Sequence, residues 1–429
     1  MKDSGIPWIG EIPSHWQICR IKNVANLYTG NSLNEKEKEY YSQSFEEDTI
    51  PYISTKDISR DIEKIEYESG LSIPVSDASF SVAPKCSVLL CVEGGSAGKK
   101  VGFTDRDVCF VNKLCCFNTS TVSRYLYYYI ISPSFNEPFS LSIQGIIGGV
   151  SVSTIKNFIQ LLPTPSEQQA IADFLDKKCS EIDELICLQE KIIEELKAYK
   201  QSVITEAVIK GLKPDVPMKD SGIEWMGKIP NTWSVKRLKF IGEGENGLTY
   251  SPSDLCGEEG TLVLRSSNIQ GSKLVFEDNV YVSCAIPERL WVKKGDIIIC
   301  SRNGSAALVG KCALVEEDIS ASFGAFMLRF RTPYFFRYVF YLLSGVISNY
   351  KQLFATTTIN QLTLGTFNNL YAPFIDNLKE QQAIADYLDK KCSEIDNLIS
   401  LKQGKIEYLK EYKKSIIYEY TTGKKEVNE

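Results

Sequence analysis

The feature that most constrains the fold of this chain is a tandem duplication. The opening segment MKDSGI at residues 1–6 returns unchanged at residues 218–223. Farther on, EQQAIADFLDKKCSEID at residues 167–183 returns at residues 380–396 with a single difference, a Phe replaced by a Tyr. Repeated blocks in the same order indicate two copies of one structural unit. With 429 residues, the chain is long enough for each copy to bury its own core.

Between the repeated blocks the two halves keep a common frame but differ in content. PYISTKDIS at residues 51–59 corresponds to LVLRSSNIQ at 262–270, and KCSVLLCVEGGSAGKKVGF at 85–103 corresponds to KGDIIICSRNGSAALVGKCAL at 294–314. Each segment has the pattern of an apolar strand that leads into a polar turn. Such divergence is expected of two recognition modules with different ligands, and drift in surface loops is the alternative.

Each repeated EQQAIAD block begins a predicted long helix. Prolines precede the first helix, Ser166 can cap it, and Gly211 and Pro214 end it. Steps of three and four residues mark one apolar stripe, typical of a coiled coil. The stripe residues assigned to helix pairing or partner binding are Ile171, Leu175, Ile182 and Leu185 in the first copy and Ile384, Leu388, Ile395 and Leu398 in the second.

A helix of about 45 residues is roughly 65 to 70 Å long, more than one globular domain is expected to cover, so its stripe requires a partner helix. The duplicate helix is the first candidate, and a pseudo-twofold relation between the two copies would make the pair antiparallel. In the alternative, each helix binds another protein.

Charge and composition restrict the setting of the chain. Its net charge of −6 means that any phosphate-binding surface must be a local basic patch. No segment resembles a signal peptide or a membrane span, so the sequence predicts a cytoplasmic protein without a membrane partner. The thirteen cysteines are an odd number without a metal-binding spacing, which favours buried, reduced thiols.

Catalytic and metal-binding patterns do not recur in the two halves. The single histidine, His15, corresponds to Thr232, so histidine acid-base chemistry cannot operate in both copies. The glycine-rich stretch from Gly94 to Lys99 has the wrong spacing for a phosphate loop, and Lys100 stands where such a loop needs Ser or Thr. A glycine turn that lets backbone approach DNA phosphates is the better interpretation. The sequence indicates a binding protein rather than an enzyme.

The ordered motifs resemble those of the Type I restriction-modification specificity subunits. In the first half they are Ser4-Gly5-Ile6, Trp8, Gly10, Ile12-Pro13 and Trp16, followed by Leu162-Pro163-Thr164-Pro165 and Glu167-Gln168-Gln169-Ala170-Ile171, and the set recurs in the second half. The resemblance covers the whole chain. The second copy departs from it at residues 372–376, APFID, where the first copy has LPTPS.

This resemblance implies an α/β (α+β) fold with two target-recognition domains in a tandem pseudo-twofold repeat, separated by two long antiparallel coiled-coil helices. The expected boundaries are residues 1–165 and 218–378 for the recognition domains, 166–217 for the first helix and its linker, and 379–429 for the second helix. The helices are expected to act as a molecular ruler.

The resemblance also implies the partners. The chain would bind double-stranded DNA together with two modification (methyltransferase) subunits and two restriction (translocase and nuclease) subunits, and would itself be non-catalytic. S-adenosylmethionine, ATP and Mg²⁺ would belong to those subunits, so neither a cofactor nor a metal is expected on this chain.

DNA contacts are expected from polar loops that present Arg or Lys to guanine, Asn or Gln to adenine, and hydroxyl groups to phosphates. For each residue the alternative is an ordinary solvated loop position. The predicted DNA-binding residues are Ser54, Thr55, Lys56, Lys99, Lys100 and Gln144 in the first half, and Arg265, Ser266, Asn268, Arg302, Asn303, Thr358, Asn360 and Gln361 in the second.

Three other functions compete with this interpretation. An enzyme would alter DNA or a small substrate without partners, whereas a scaffold would bind partner helices but not duplex DNA. The nearest alternative is a non-catalytic DNA-binding or scaffold subunit of a related defence system.

Overall fold

The computed structural model of the protein describes residues 1–60, 64–145, 148–351 and 360–427. Contacts within the chain define two compact units. Unit 1 comprises Met1–Glu190 and Gln403–Glu429, and unit 2 comprises Lys191–Lys402. The four-part division into recognition domains and helices remains a prediction about function.

Both units are mixed α/β, as predicted, and two of the helices are far longer than the rest. The α-helices of the described residues are α1 Glu35–Tyr41, α2 Ser123–Ile131, α3 Pro133–Leu141, α4 Val152–Ile155, α5 Pro165–Lys210, α6 Phe336–Asn349, α7 Leu364–Asn369 and α8 Leu378–Thr421.

Unit 1 contains two four-stranded sheets, ordered β4-β11-β8-β9 and β6-β5-β10-β7, and the two-stranded pairs β1-β2 and β3-β12. The first sheet is antiparallel, whereas β5 and β10 are parallel. The strands are β1 Lys2–Asp3, β2 Glu11–Ile12, β3 Gln17–Arg20, β4 Ala25–Thr29, β5 Thr49–Ile53, β6 Ser72–Pro74, β7 Val82–Ala83, β8 Val88–Cys91, β9 Val101–Phe103, β10 Val108–Phe110, β11 Leu114–Thr119 and β12 Ile159–Leu162.

Unit 2 repeats this plan with sheets β16-β26-β22-β24 and β17-β21-β18-β25, and with the pairs β13-β14, β15-β28, β19-β20 and β23-β27. The strands are β13 Met218–Asp220, β14 Lys228–Pro230, β15 Ser234–Arg237, β16 Glu243–Asn246, β17 Leu255–Cys256, β18 Thr261–Leu264, β19 Ile269–Gln270, β20 Lys273–Leu274, β21 Tyr281–Val282, β22 Ile297–Cys300, β23 Arg302–Asn303, β24 Cys312–Leu314, β25 Ala321–Phe323, β26 Met327–Arg331, β27 Asn360–Gln361 and β28 Tyr371–Phe374.

Strands β8 and β22 are continuous apolar runs because both of their faces are buried. Val88 and Leu90 of β8 face the helices, whereas Leu89 and Cys91 belong to the core between the two sheets. The same alternation holds in β22, as expected from the two-residue period of a strand. Most cysteines are buried in such cores, but Cys86 and Cys187 are exposed and so depart from the prediction of buried thiols.

The two long helices run antiparallel within each unit, as predicted. In unit 1 the ring centroids of Phe174 and Tyr420 lie 4.4 Å apart, and the Lys413 ammonium donates to both carboxylate oxygens of Asp183 at 2.8 and 2.7 Å. Later residues of α5 thus meet earlier residues of α8. In unit 2 the equivalent ion pair joins Lys200 to Asp396.

The repeated motifs tie each helix to its own unit. The indole of Trp16 donates to Glu167 at 3.1 Å, and its counterpart Trp233 donates to Glu380 at 3.2 Å. Gln168, the residue after Glu167, accepts through its side-chain oxygen from the backbone N–H of Val122 just before α2. Much of the near-identical EQQAIAD block is therefore explained by contacts inside the chain.

The start of α5 differs from the prediction. The helix begins at Pro165, so Ser166 lies inside it and is not the cap. Thr164 takes that role: its hydroxyl oxygen accepts from the Glu167 N–H at 3.4 Å, and its own N–H and hydroxyl donate to the Glu167 carboxylate at 2.9 and 2.6 Å. Proline is tolerated at the first helical position because that position needs no N–H donor. Gly211, with φ +75°, follows the last helical residue, as predicted.

The apolar stripe divides into buried and exposed residues. Six of the eight stripe residues are 0–4% exposed in the core of their own unit, namely Ile171, Leu175, Ile182, Ile384, Leu388 and Ile395. Leu185 and Leu398 are 41% and 47% exposed, and the packed position beside Leu185 is taken by Ile186. The heptad prediction therefore fails at these two leucines as helix-pairing residues, because a straight helix of 3.6 residues per turn drifts away from a seven-residue repeat.

The hydrogen bonds around Glu167 predict a pH-dependent contribution to stability. Burial alone would raise the pKa of the Glu167 carboxyl, but hydrogen bonds from Thr164, His15 and Trp16 lower it to about 2 from an ordinary 4.5. We expect Glu167→Gln to reduce the free energy of unfolding at neutral pH by about 1 kcal/mol, as for a lost helix cap. Because the pKa is depressed in the folded state, this contribution is complete above pH 4.5 and is lost as the pH falls toward 2.

Denaturant unfolding of wild type and Glu167→Gln across pH 2 to 7 measures this effect. Glu380→Gln is the matched control, since Asn377, not Glu380, caps α8 through hydrogen bonds from Lys379 and Glu380 N–H. The control should change stability less and with less dependence on pH. Equal pH profiles for the two variants would contradict the assignment.

Candidate nucleic-acid interface

The predicted residues that follow β5 and β18 form equivalent turns. In unit 1 the N–H and hydroxyl of Ser54 donate to Asp57 at 2.7 and 2.6 Å. In unit 2 the N–H of Arg265 donates to Asn268 at 2.9 Å. Asn268 is fully buried and its amide donates to the carbonyl of Val275, so the prediction that it contacts DNA is wrong. Its side chain holds the turn.

A lysine supports each of these turns from the neighbouring sheet. The Lys100 ammonium donates to the carbonyl of Thr55 at 2.7 Å. In unit 2 Lys311 donates to the carbonyls of Ser266 and Ile269, and burial lowers the pKa of its ammonium. Lys100 is thus engaged in the fold rather than free for a phosphate. Sequence analysis missed Lys311, although the correspondence of residues 85–103 with residues 294–314 aligns the two lysines.

The glycine-rich loop of unit 1, from Gly94 to Lys99, lies beside the segment that contains Gln144. Gly94 and Gly98 have φ of +85° and +72°, which only glycine adopts without strain. The N–H of Gly94 donates to Gly148 at 2.8 Å, and Gln144 pairs with Gly149. The side chain of Lys99 is exposed beside this loop. Lys99 and Gln144 therefore share one edge of unit 1.

Unit 2 has an open groove of about 760 Å³ at the equivalent edge. Four predicted residues, Arg265, Ser266, Arg302 and Asn303, line it together with Phe326. The Arg302 guanidinium lies 5.1 Å from the centroid of the Phe326 ring, a cation–π geometry. Phe326 itself is 58% exposed. We call this surface the unit 2 groove.

Hydrogen bonds fix Arg265 and Asn303 in the unit 2 groove and Asn360 beside it. The Asn303 amide donates to the Ser266 hydroxyl at 3.0 Å, and Arg265 donates to the Asp278 carboxylate at 2.9 Å. Asn360 donates to the carbonyl of Gly304 at 3.1 Å. The groove is thus a preformed polar surface with an exposed aromatic ring.

The other predicted residues lie at varied positions. Lys56 is exposed after β5, and Gln361 is exposed on β27 opposite Arg302. Thr358 lies outside the described residues. Sequence analysis missed Phe326, because an aromatic residue in the largely apolar run from Phe323 to Leu328 does not stand out as an exposed one.

The single histidine is engaged within unit 1. The ring of His15 is hydrogen-bonded to Glu167 at 2.7 Å, at the start of α5. Within the described ranges no cluster of His, Cys, Asp or Glu could hold a metal ion. None of the described helices has both the length and the apolarity to span a bilayer.

Comparison with known proteins identifies the family. The model of the Type I restriction modification DNA specificity domain matches residues 13–198 and again residues 230–423. The chain belongs to this family. The two matches coincide with the two copies of the duplication.

Named relatives of this specificity-family chain agree with the assignment. The chain is 26% identical to the MjaVIII specificity subunit of Methanocaldococcus jannaschii over 437 residues, which covers 96% of this chain and 93% of the relative. It is also 26% identical to the EcoKI specificity subunit of Escherichia coli K12 over 206 residues, or 46% of this chain and 44% of the relative.

Two solved structures share the fold. One comes from a study of complex assembly and conformational transition in a type I R-M system, with a TM-score of 0.73, 16% identity, and coverage of 96% of this chain and 99% of the other. The HsdS subunit of Thermoanaerobacter tengcongensis aligns with a TM-score of 0.51 and 15% identity over 96% and 98% of the two chains. The α/β architecture with long helices is therefore that of the family.

Proposed function

We propose that this chain is the sequence-reading subunit of a Type I restriction-modification complex. It binds a bipartite, asymmetric duplex DNA target, of which unit 1 reads one half and unit 2 the other. The observation that carries this proposal is that equivalent turns on one backbone frame present different polar groups. Arg265 stands where unit 1 has Ser54, and Arg302 and Asn303 stand where it has Glu93 and Gly94.

The bipartite target follows from the duplication. Residues 17–160 lie in unit 1 and residues 234–375 lie in unit 2, so each variable segment can read its own half-site. Half-sites one helical turn apart are separated by about 34 Å, within the roughly 65 to 70 Å length of each long helix. Unlike loops would read unlike half-sites, and the whole site would not be a palindrome.

The long helices offer two equivalent surfaces for partner subunits. On the helix pair of unit 1, Leu185, Leu188 and Tyr412 are 41%, 51% and 45% exposed. Their repeat counterparts in unit 2, Leu398, Leu401 and Tyr199, are 47%, 70% and 56% exposed. We call these sets the unit 1 and unit 2 apolar triads. A matched pair of exposed apolar surfaces suits two copies of one partner, which we infer to be the modification subunit.

The chemistry then resides in the partners. Modification subunits supply S-adenosylmethionine and methylate adenine, and two restriction subunits translocate and cut DNA with ATP and Mg²⁺. This chain contributes recognition and placement, in the cytoplasm where the host DNA lies.

Salt dependence tests whether the chain binds duplex DNA in this way. Phosphate contacts release counterions, so the affinity of the chain with its modification subunit should fall at least about a hundredfold between 50 and 200 mM salt. Fluorescence anisotropy with a labelled duplex measures the slope. Lys56→Ala and Lys99→Ala should each reduce that slope by about one, whereas an affinity that is flat over this range would refute the proposal.

A further inference from the structure

Glu93 and Arg302 occupy the same position in the two units. Each lies two residues beyond the last residue of a buried strand, and its carbonyl accepts from that residue's thiol, from Cys91 at 3.4 Å and from Cys300 at 3.6 Å. In unit 1 the carbonyl of Val92 accepts from the N–H of Val150 at 3.0 Å. In unit 2 the carbonyl of Ser301 accepts from the N–H of Leu362 at 2.8 Å. The backbone geometry therefore matches while the side-chain charge is reversed.

Neither charged group has a polar partner among the described residues. Among the described residues, the Glu93 carboxylate and the Arg302 guanidinium make no hydrogen bond or ion pair, and both side chains are partly exposed. The guanidinium carbon of Arg302 lies 5.1 Å from the centroid of the Phe326 ring, a contact that uses none of its N–H donors. Arg265, the other arginine of the unit 2 groove, is paired with Asp278.

The two groups suit different partners on DNA. A guanidinium fork matches the O6 and N7 acceptors of guanine in the major groove, and a carboxylate accepts from the N4 amino group of cytosine. A carboxylate is repelled by phosphates, so Glu93 on a DNA-facing edge can favour binding only through a base. Arg302 can bind either a base or a phosphate, but its contact with the exposed Phe326 ring restrains the guanidinium in the groove and favours a base, whose edge the fork matches.

We propose that Arg302 reads a guanine in the half-site bound by unit 2, and that Glu93 reads a cytosine at the equivalent place in the half-site bound by unit 1. This inference rests on the proposed function. At this shared position the two units carry side chains of opposite charge. The arginine selects hydrogen-bond acceptors and the glutamate selects a donor, which makes the two half-sites differ.

Selection from randomised duplexes by the chain in complex with its modification subunit tests both assignments. Arg302→Ala should reduce affinity for the preferred duplex about ten- to hundredfold and abolish the guanine preference at one base pair of one half-site. Arg302→Lys should keep part of that preference, because a lysine also donates to guanine but without the fork.

Glu93→Ala should abolish a cytosine preference at one base pair of the other half-site. Lys56→Ala serves as a control that should weaken all duplexes alike.

Each remaining outcome overturns a defined part of the account. A uniform loss of affinity in Arg302→Ala, with the guanine preference kept and the salt slope reduced by about one, would make Arg302 a phosphate contact. An adenine preference that depends on Glu93 would overturn the cytosine assignment. If the wild-type complex selects a bipartite site but neither variant changes it, only this inference fails. If the wild-type complex selects no sequence, the proposed function fails as well.

Discussion

The double substitution of Leu188→Asp with Leu401→Asp should abolish co-purification of the modification subunit. Each single substitution should leave one modification subunit bound instead of two. The reason is geometric. Leu188 and Leu401 are equivalent, 51% and 70% exposed, and lie one in each apolar triad. A charge at the centre of an apolar interface typically weakens binding by 2 kcal/mol or more, or about thirtyfold. Affinity capture followed by native mass spectrometry counts the bound subunits.

Two comparisons separate partner binding from folding. Leu378→Asp, at another exposed leucine of α8, should leave both partners bound. Leu388 is fully buried in the core of unit 2, so Leu388→Asp should destabilise that unit by several kcal/mol and is not a test of the partner surface. Retention of two modification subunits by the double variant would exclude the apolar triads as their docking surfaces.

Exchange of residues 17–160 for those of a relative should replace one methylated half-site and leave the other unchanged. Both ends of this segment lie in one antiparallel strand pair, where Gln160 lies opposite Cys19 and Gln17 lies opposite Leu162, so the two junctions are close together. The reciprocal segment, residues 234–375, ends in the equivalent pair of Ser234 with Phe374. Each exchange should therefore alter a different half-site.

A successful exchange must preserve the contacts between the variable segment and α5. Tyr128 donates to Asp176 at 2.6 Å and Arg124 pairs with the same carboxylate. The donor sequence should supply equivalent partners, and thermal unfolding of the chimaera provides the folding control. A change in both half-sites after one exchange would show that the two units do not read DNA independently.

The fold was largely predictable because its strongest signals are local. The duplication, the strand-to-turn segments and the end of the first long helix at Gly211 are visible as short patterns. The alternating burial of β8 and β22 could not be assigned to particular cores, because a continuous apolar run does not show which face meets the helices. Leu185 does not serve helix pairing, because a heptad count ignores the drift of a straight helix, and its assignment to partner binding stays a prediction.

The site was less predictable because a polar side chain's use depends on segments distant in sequence. Asn268 and Lys100 are the residue types expected at a DNA contact, yet each is engaged within its own unit by a neighbouring segment. Glu93 was overlooked because a carboxylate opposes phosphate binding. The alignment of the two halves already pairs Glu93 with Arg302, but the folded structure is needed to show that both side chains are partly exposed on matching backbone.

Mapping the methylated adenines in cells that express this chain with its modification subunit tests the central claim most directly. We expect two unlike half-sites separated by a spacer of fixed length, with one methylated adenine in each half. A palindromic site, or one uninterrupted recognition sequence, would contradict it.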